Sequence, residues 1–278
     1  MRRIIYIWEF TRNLFKYFNK KFKTKKLQIW VGQTCTLKCK NCSQLFPYIN
    51  QKLYDINDVI AELKILLNFI EPESIHIIGG EPFTNKNIDK LIDFVCKVNP
   101  NKPNKVISNG TIIPQERILE SLSRNPESIS VTISDYPIVA EKQKKIFEIM
   151  QQKGVKVRYV KTVDYWYYMG NNTENEIKGY KTLKRNFKKC WDRSCNTIAN
   201  GELSLCPRMH NSPMVFKDEK IMYIEHLPIK NVPNNFIGRA LVATCLSSKT
   251  YRESCRHCWG LSDASGIKVE KAIQQERK

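Results

Sequence analysis

Cys35-Thr36-Leu37-Lys38-Cys39-Lys40-Asn41-Cys42 is the stretch on which the reading of this chain turns. Three thiols on one short loop make a C-x3-C-x2-C pattern directly after an apolar run, 27–31, that reads as a buried strand. Three thiolates so placed can hold three irons of a cubic [4Fe-4S] cluster and leave the fourth iron without a protein ligand. Zinc asks for a fourth ligand nearby. The nearest other paired cysteines, Cys255 and Cys258, lie far beyond the usual gap of roughly 15 to 20 residues. A disulfide is disfavoured in a reducing compartment.

Working outward from the loop, apolar periodicity switches regularly between two and 3.6 residues. Helical patterns are expected over 56–70, 88–98, 114–123 and 138–153, and strands over 74–78, 105–108, 128–134 and 155–160. With 27–31 this makes five strands alternating with four helices, which implies a parallel sheet with helices outside it. Chemistry then sits on the loops at the carboxyl ends of the strands. After about residue 163 the alternation stops. A connecting segment over 164–189 is aromatic and basic, with Tyr165, Trp166, Tyr167 and Tyr168 in a row.

Length and charge bound the rest. The 278 residues suit one large domain, or a large one with a small one, at about 100 to 200 residues per domain. A hydrophobic content of 42% excludes a wholly disordered chain. The net charge of +19 raises nucleic acid, membrane surfaces and phosphorylated substrates as partners, yet it is uneven and partly compositional, so nucleic acid is not favoured. Residues 1–26 carry nine basic side chains against Glu9 alone, interleaved with Trp8, Phe15 and other apolar residues. That basic amphipathic segment suits a helix packed on the open end of the domain, or weak association with an anionic membrane surface. It lacks the pattern of a secretory signal, and no apolar run is long enough to span a bilayer, so a cytoplasmic protein is expected.

These motifs, taken in order, resemble those of the radical S-adenosylmethionine (radical SAM) enzymes. In that family a C-x3-C-x2-C loop follows the first strand of a partial (β/α) TIM-like barrel, and the second strand ends in Gly-Gly-Glu-Pro. Here the second strand runs into Gly79-Gly80-Glu81-Pro82, 37 residues after Cys42. The resemblance implies a SAM-binding [4Fe-4S] cluster on Cys35, Cys39 and Cys42. It also implies contacts to S-adenosyl-L-methionine from Gly79, Gly80, Glu81 and Pro82, where glycines let backbone carbonyls approach the methionine ammonium. Ser108-Asn109 after the third strand and Ser134-Asp135 after the fourth match the family's polar contacts to the nucleoside. As plain sequence, Asn109-Gly110 is equally a tight-turn signal, and Ser134-Asp135 equally a helix start. Many members carry an aromatic residue just before the third cysteine, to shelve the adenine. This chain has Asn41 there, with Phe46 or Tyr48 as substitutes.

A second cysteine group follows. Six of the ten cysteines fall within 190–258. Cys190, Gly201 and Cys206, followed by Cys255-x2-Cys258, resemble the auxiliary-cluster region called SPASM or, in its shortened form, twitch. The implied arrangement is a small cysteine-rich auxiliary domain over 190–262 with a tail over 263–278, beside a core over 27–163. Cys190, Cys206, Cys255 and Cys258 would hold a second, auxiliary [4Fe-4S] cluster, with Cys195 as the alternative to Cys190. A zinc-stabilised lid is the plain reading of the same residues. Cys96, in a helical apolar pattern, reads as a core thiol.

The family's shared step is reductive cleavage of SAM to a 5'-deoxyadenosyl radical that takes a hydrogen atom from an unreactive C–H bond. With few residues before the first strand to grip a leader peptide, a sugar-like small molecule is the expected substrate, by epimerisation or dehydrogenation. A flavodoxin- or ferredoxin-type protein is the implied electron donor. Cys245 is the candidate hydrogen-atom donor for epimerisation, or else a buried hydrophobe. The alternatives are a maturase of ribosomal peptides and a zinc-stabilised basic RNA-binding protein.

Overall fold

Leu27, Gln28, Ile29 and Trp30 are all buried, as a strand covered on both faces must be. In a computed structural model, which describes residues 2–160, 164–170, 172, 179–217, 225–246 and 251–275, this strand is central. The first half of the chain runs α1 (Arg2–Lys16), β1 (Phe22–Thr24), β2 (Leu27–Trp30), α2 (Ile56–Leu66), β3 (Ile70–Pro72), β4 (Ile75–Ile78), α3 (Ile88–Val98), β5 (Asn104–Ser108), α4 (Glu116–Ser123), β6 (Ile129–Ser134), α5 (Ala140–Gln152) and β7 (Val157–Val160). It continues with β8 (Tyr165–Tyr167), α6 (Tyr180–Lys189), β9 (Asn196–Ala199), β10 (Glu202–Ser204), α7 (Pro207–Phe216), β11 (Leu227–Pro228), α8 (Phe236–Leu246) and β12 (Lys268–Glu270).

One eight-stranded sheet has the order β11-β10-β9-β2-β4-β5-β6-β7. Strands β2, β4, β5, β6 and β7 are parallel, as the alternation requires. The helices between them bury one stripe each. In α3 it is Ile88, Leu91, Ile92 and Val95, at the i, i+3, i+4, i+7 spacing of a core-facing helix. This is the mixed α/β fold of an open, partial barrel. The helix expected over 56–70 ends at Leu66, because Ile70–Pro72 pairs with β1 as a two-stranded parallel ribbon. The helix expected from 114 starts at Glu116, since the residue at 115 is still extended.

Three arrangements go beyond the sequence pattern. Strand β9 pairs in parallel with β2, so the cysteine-rich region continues the main sheet through the β9–β10–β11 ribbon. Strand β12, from the tail, pairs antiparallel with β8 in the aromatic segment. Helix α1 packs on α8: Asn13 Nδ2 donates to Thr244 Oγ1 at 3.0 Å, and Arg239 Nε donates to the Tyr17 carbonyl at 3.1 Å. Trp8 and Phe15 on α1 remain exposed. Among the described residues no helix is long and apolar enough to cross a membrane.

Asn104, fully buried at the start of β5, ties the parallel strands together at their amino ends. Its Oδ1 accepts from Ile75 N (2.9 Å) and Asn99 Nδ2 (2.8 Å), and its Nδ2 donates to the carbonyls of Asn99 (2.8 Å) and Ser128 (2.9 Å). Asn104→Ala leaves four buried groups without partners and is expected to destabilise by roughly 2–4 kcal/mol, read as a lower urea midpoint.

Candidate active site

The cysteine loop leaves β2 and is fastened to the end of β4 by backbone alone. Gly80 N donates to the Gly32 carbonyl (3.3 Å) and Glu81 N to the Thr34 carbonyl (2.8 Å). A Cβ on Gly80 would lie 2.4 Å from Thr34 O and 2.5 Å from Gln33 O, and one on Gly79 2.7 Å from Gly32 O. The two glycines are therefore needed for the close approach of two backbones, and what they approach is the cysteine loop itself. Pro82 is buried and opens a short 3-10 turn.

Glu81 is 1% exposed, and its carboxylate joins the ends of two strands. It accepts from Asn109 N (2.7 Å), from Ser108 Oγ (2.9 and 3.0 Å) and from Phe83 N (3.1 Å). Burial pushes its pKa up to about 7, while these hydrogen bonds pull the other way. Asn109 carries the connection onward, its Nδ2 donating to Thr36 Oγ1 at 3.1 Å with Cys35 Sγ 3.6 Å away. Gln143, a buried residue of α5, donates to the carbonyls of both Asn109 and Ser134 at 2.7 Å. It clamps the third and fourth strand ends together. A polar residue on a helix carries no sequence signal for that role.

A cavity of about 390 Å³ opens at these strand ends. Cys35, Cys39 and Cys42 line it together with Gly80, Asn109 and Phe46, and so do Tyr136, Tyr165, Trp166 and Trp191. Glu81, Pro82, Ser108, Ser134 and Asp135 do not line it; Ser108 is occupied by Glu81, and Asp135 lies 3.6 Å from Lys271 Nζ. Of the adenine candidates, Phe46 lines the cavity and packs at a tilt of 55° on Trp30 (centroids 4.8 Å), whereas Tyr48 donates to the Lys40 carbonyl at 2.5 Å. The C-terminal tail braces the cysteine loop. Lys40 N donates to Ile273 O (2.7 Å), Gln275 N to Lys38 O (2.9 Å), and Gln274 Nε2 to Cys39 Sγ (3.5 Å).

Desolvation, with a smaller contribution from the charge of Cys42, pushes the thiols of Cys35 and Cys39 up to about 12 and 11, and burial raises Cys42. Three sulfurs buried together need a cation to become thiolates. Three soft ligands on one cavity wall fit an iron–sulfur cluster with one open iron.

The second group also assembles. Cys190, Cys206, Cys255 and Cys258 surround one small apolar pocket. Gly260 N donates to Cys258 Sγ (3.1 Å) and Leu261 N to Cys190 Sγ (3.4 Å). Cys195 is not in this group; its Sγ accepts from Lys26 Nζ at 3.5 Å, and it is buried beside β9. Cys245 lines neither cavity. It sits in the main core on α8, its thiol 3.5 Å from the Leu203 carbonyl, so the structure does not bring the expected hydrogen donor to the site. Cys96 is a core residue of α3, as expected.

Residues 31–183, a little over half of the chain, match the family model of the Radical SAM superfamily. The chain belongs to that superfamily. It is a radical SAM enzyme, and the family implies a [4Fe-4S] cluster and SAM, which replaces the reading as a zinc-stabilised RNA-binding protein. Among solved structures, BtrN in complex with AdoMet and 2-DOIA is 16% identical with a TM-score of 0.51, covering 91% of this chain and 98% of that one. Streptococcus suis SuiB, solved with S-adenosylmethionine and with its precursor peptide SuiA, is 21% identical with a TM-score of 0.43 over 54% of this chain. This chain spans about a third of SuiB's length. Curated proteins give no match.

Two outcomes are expected. Gly80→Ala forces backbone apart at the cysteine loop, so it should cost at least about 2 kcal/mol in a urea titration and lower the iron held after reconstitution. Glu81 has a folded-state pKa of about 7 against 4.5 when unperturbed, so its stabilising contribution is full at low pH and is lost as pH rises to about 7. Native protein should therefore lose stability relative to Glu81→Gln as pH rises from 4.5 to about 7; parallel pH profiles would remove that assignment.

Proposed function

We propose that this chain binds SAM at a [4Fe-4S] cluster held by Cys35, Cys39 and Cys42, and dehydrogenates a carbohydrate-like small molecule in the cavity those residues line. The observation that carries this reading is that shared cavity, with thiols on one wall and aromatic rings on another. Bound there, the cluster and SAM supply reductive cleavage to methionine and a 5'-deoxyadenosyl radical that takes a hydrogen atom from substrate.

The chain's own residues bind, orient and exclude water. Gly79 to Pro82, Asn109, Ser134 and Asp135 are the proposed SAM-binding set, of which Gly80 and Asn109 line the cavity. Edge-on contacts of Tyr136 with Trp166 (5.6 Å) and Tyr167 with Trp191 (5.5 Å) build a rigid apolar wall. Lys268 Nζ, from the tail, lies 4.2 Å over Tyr165 and stiffens it. Such rings pack on the C–H faces of a cyclic polyol and keep water from a reactive intermediate. The BtrN structure, whose fold corresponds over nearly the whole chain, holds 2-DOIA alongside AdoMet, which supports a small-molecule substrate.

We assign Cys190, Cys206, Cys255 and Cys258 to an auxiliary [4Fe-4S] cluster. Met169 lines both cavities, so an electron acceptor in the second adjoins the substrate space of the first. That adjacency, together with the burial of Cys245 elsewhere, favours dehydrogenation over epimerisation. An acidic flavodoxin- or ferredoxin-type donor suits the basic surface, and weak membrane-surface association through α1 suits its exposed Trp8 and Phe15.

Anaerobically reconstituted protein is expected to hold about eight irons per chain. With dithionite it should convert SAM to 5'-deoxyadenosine and methionine. Replacing Cys35, Cys39 and Cys42 by Ala should halve the iron and abolish cleavage; undiminished cleavage would refute the assignment. Cys245→Ala is expected to leave turnover unchanged, with no solvent deuterium in the product. Loss of one product and deuterium incorporation in the native enzyme would restore epimerisation.

A further inference from the structure

Glu202 on β10, His210 on α7 and His226 just before β11 each bring one ligand atom within 4.8 Å of the other two. None of the three lines either cysteine cavity. Their meeting follows from the ribbon: β10 and β11 pair antiparallel with Glu202 opposite Pro228 and Leu203 opposite Leu227, a register that carries on to His226 opposite Ser204, diagonal to Glu202, and α7 packs back on β10. Glu202 Oε2 is 3.3 Å from His226 Nδ1. The two imidazoles meet edge-on, with centroids 5.1 Å apart at 71°.

His226 is the informative member. Its side chain is 3% exposed, and neither ring nitrogen makes a hydrogen bond among the described residues. A buried imidazole has a donor and an acceptor to satisfy, and leaving both unmade is costly unless something else takes their place. His210 is held differently: Ser204 Oγ lies 2.8 Å from its Nε2 and the Thr197 carbonyl 3.4 Å from the same atom, partners of the kind that orient metal-ligating imidazoles.

We infer that Glu202, His210 and His226 form a site for a divalent transition-metal ion, zinc foremost, distinct from the two cysteine groups. Two imidazoles and a carboxylate are a zinc-type donor set with one further position for water. Magnesium and calcium favour all-oxygen sites, and thiolate-seeking metals have the cysteine groups. Ligand atoms around a tetrahedral zinc stand about 3.3 Å apart, given bonds of about 2.0–2.1 Å, so side-chain rotations of roughly an ångström complete the site. The ion would cross-link β10, the start of β11, and α7. Because α7 follows Cys206 and carries Arg208 and Asn211, which donate to the Ser43 and Gln44 carbonyls just past Cys42, the ion would stiffen the connection between the two groups without touching substrate.

The test uses the full chain with its clusters reconstituted first, so that thiols do not capture the probe. Zinc chloride is added at one equivalent, excess is removed by gel filtration, and retained metal is measured together with the zinc-edge X-ray absorption fine structure. The expected result is about one zinc per chain with nitrogen and oxygen neighbours at about 2.0–2.1 Å and no sulfur at about 2.3 Å. Glu202→Gln and His226→Gln should each retain at least tenfold less zinc, with iron content and SAM cleavage unchanged, and zinc should raise the thermal midpoint of native protein alone. Native protein that retains no zinc, a sulfur-dominated shell, or equal retention by both variants would overturn the site. The native measurement decides even if His226→Gln fails to fold, and Glu202, whose side chain is 38% exposed, gives the milder variant.

Discussion

Helix α7 is the element on which the arrangement of both cysteine groups depends. Cys206 caps its amino end and belongs to the second group. Two residues later Arg208, buried, donates to the Ser43 carbonyl just past Cys42 (2.9 Å) and to Asn172 Oδ1 (2.8 Å). Asn211, one turn on and fully buried, donates to the Gln44 carbonyl (2.6 Å) and accepts from Gln33 Nε2 (3.0 Å). A loop of polar and cysteine residues has little apolar surface of its own to bury, so its position is imposed from outside: by α7 on one side, by Gly79 and Gly80 beneath, and by the tail at Gln274. Most of these contacts go to loop backbone, with Gln33 and the Cys39 sulfur the side chains also engaged, and together they fix where the sulfurs stand.

The same constraint sets the electrostatics. Packing three thiols and Glu81 into a water-poor sheet edge raises all four above their ordinary pKa values, with desolvation the leading cause. Without a cation the site is destabilised as its groups ionise, and a soft, multivalent one offsets that. Glu81 differs from the thiols in having its hydrogen bonds supplied by the protein. It acts as an internal brace between β4 and β5.

What was legible in the sequence is what periodicity carries. The five parallel strands and four helices follow from apolar spacing, and α3 matches residue for residue. The three-cysteine loop and Gly79-Gly80-Glu81-Pro82 were legible because their chemistry needs those residue types in a fixed order. Three features were not. Pairing of β9 with β2 joins segments more than 160 residues apart, and no local pattern encodes it. Gln143 reads as a solvent-facing helix residue, yet its amide closes two strand ends. Lys271 and Gln274 are isolated polar residues in a tail, and only the β8–β12 pairing shows why the first reaches Asp135 and the second Cys39. Spacing alone left Cys190 and Cys195 as rivals, and the fold separates them: the first lies in the four-cysteine pocket, the second under Lys26.

The central claim is that one cysteine group presents an open iron to SAM while the other is closed by four thiolates. Electron paramagnetic resonance of the dithionite-reduced protein, recorded with and without SAM, tests this most directly. Two reduced [4Fe-4S] signals are predicted, of which SAM shifts one and leaves the other unchanged, with the shifted signal absent from the Cys35, Cys39 and Cys42 variant. A spectrum indifferent to SAM, or one in which the SAM-sensitive signal survives loss of those three cysteines, would contradict the account.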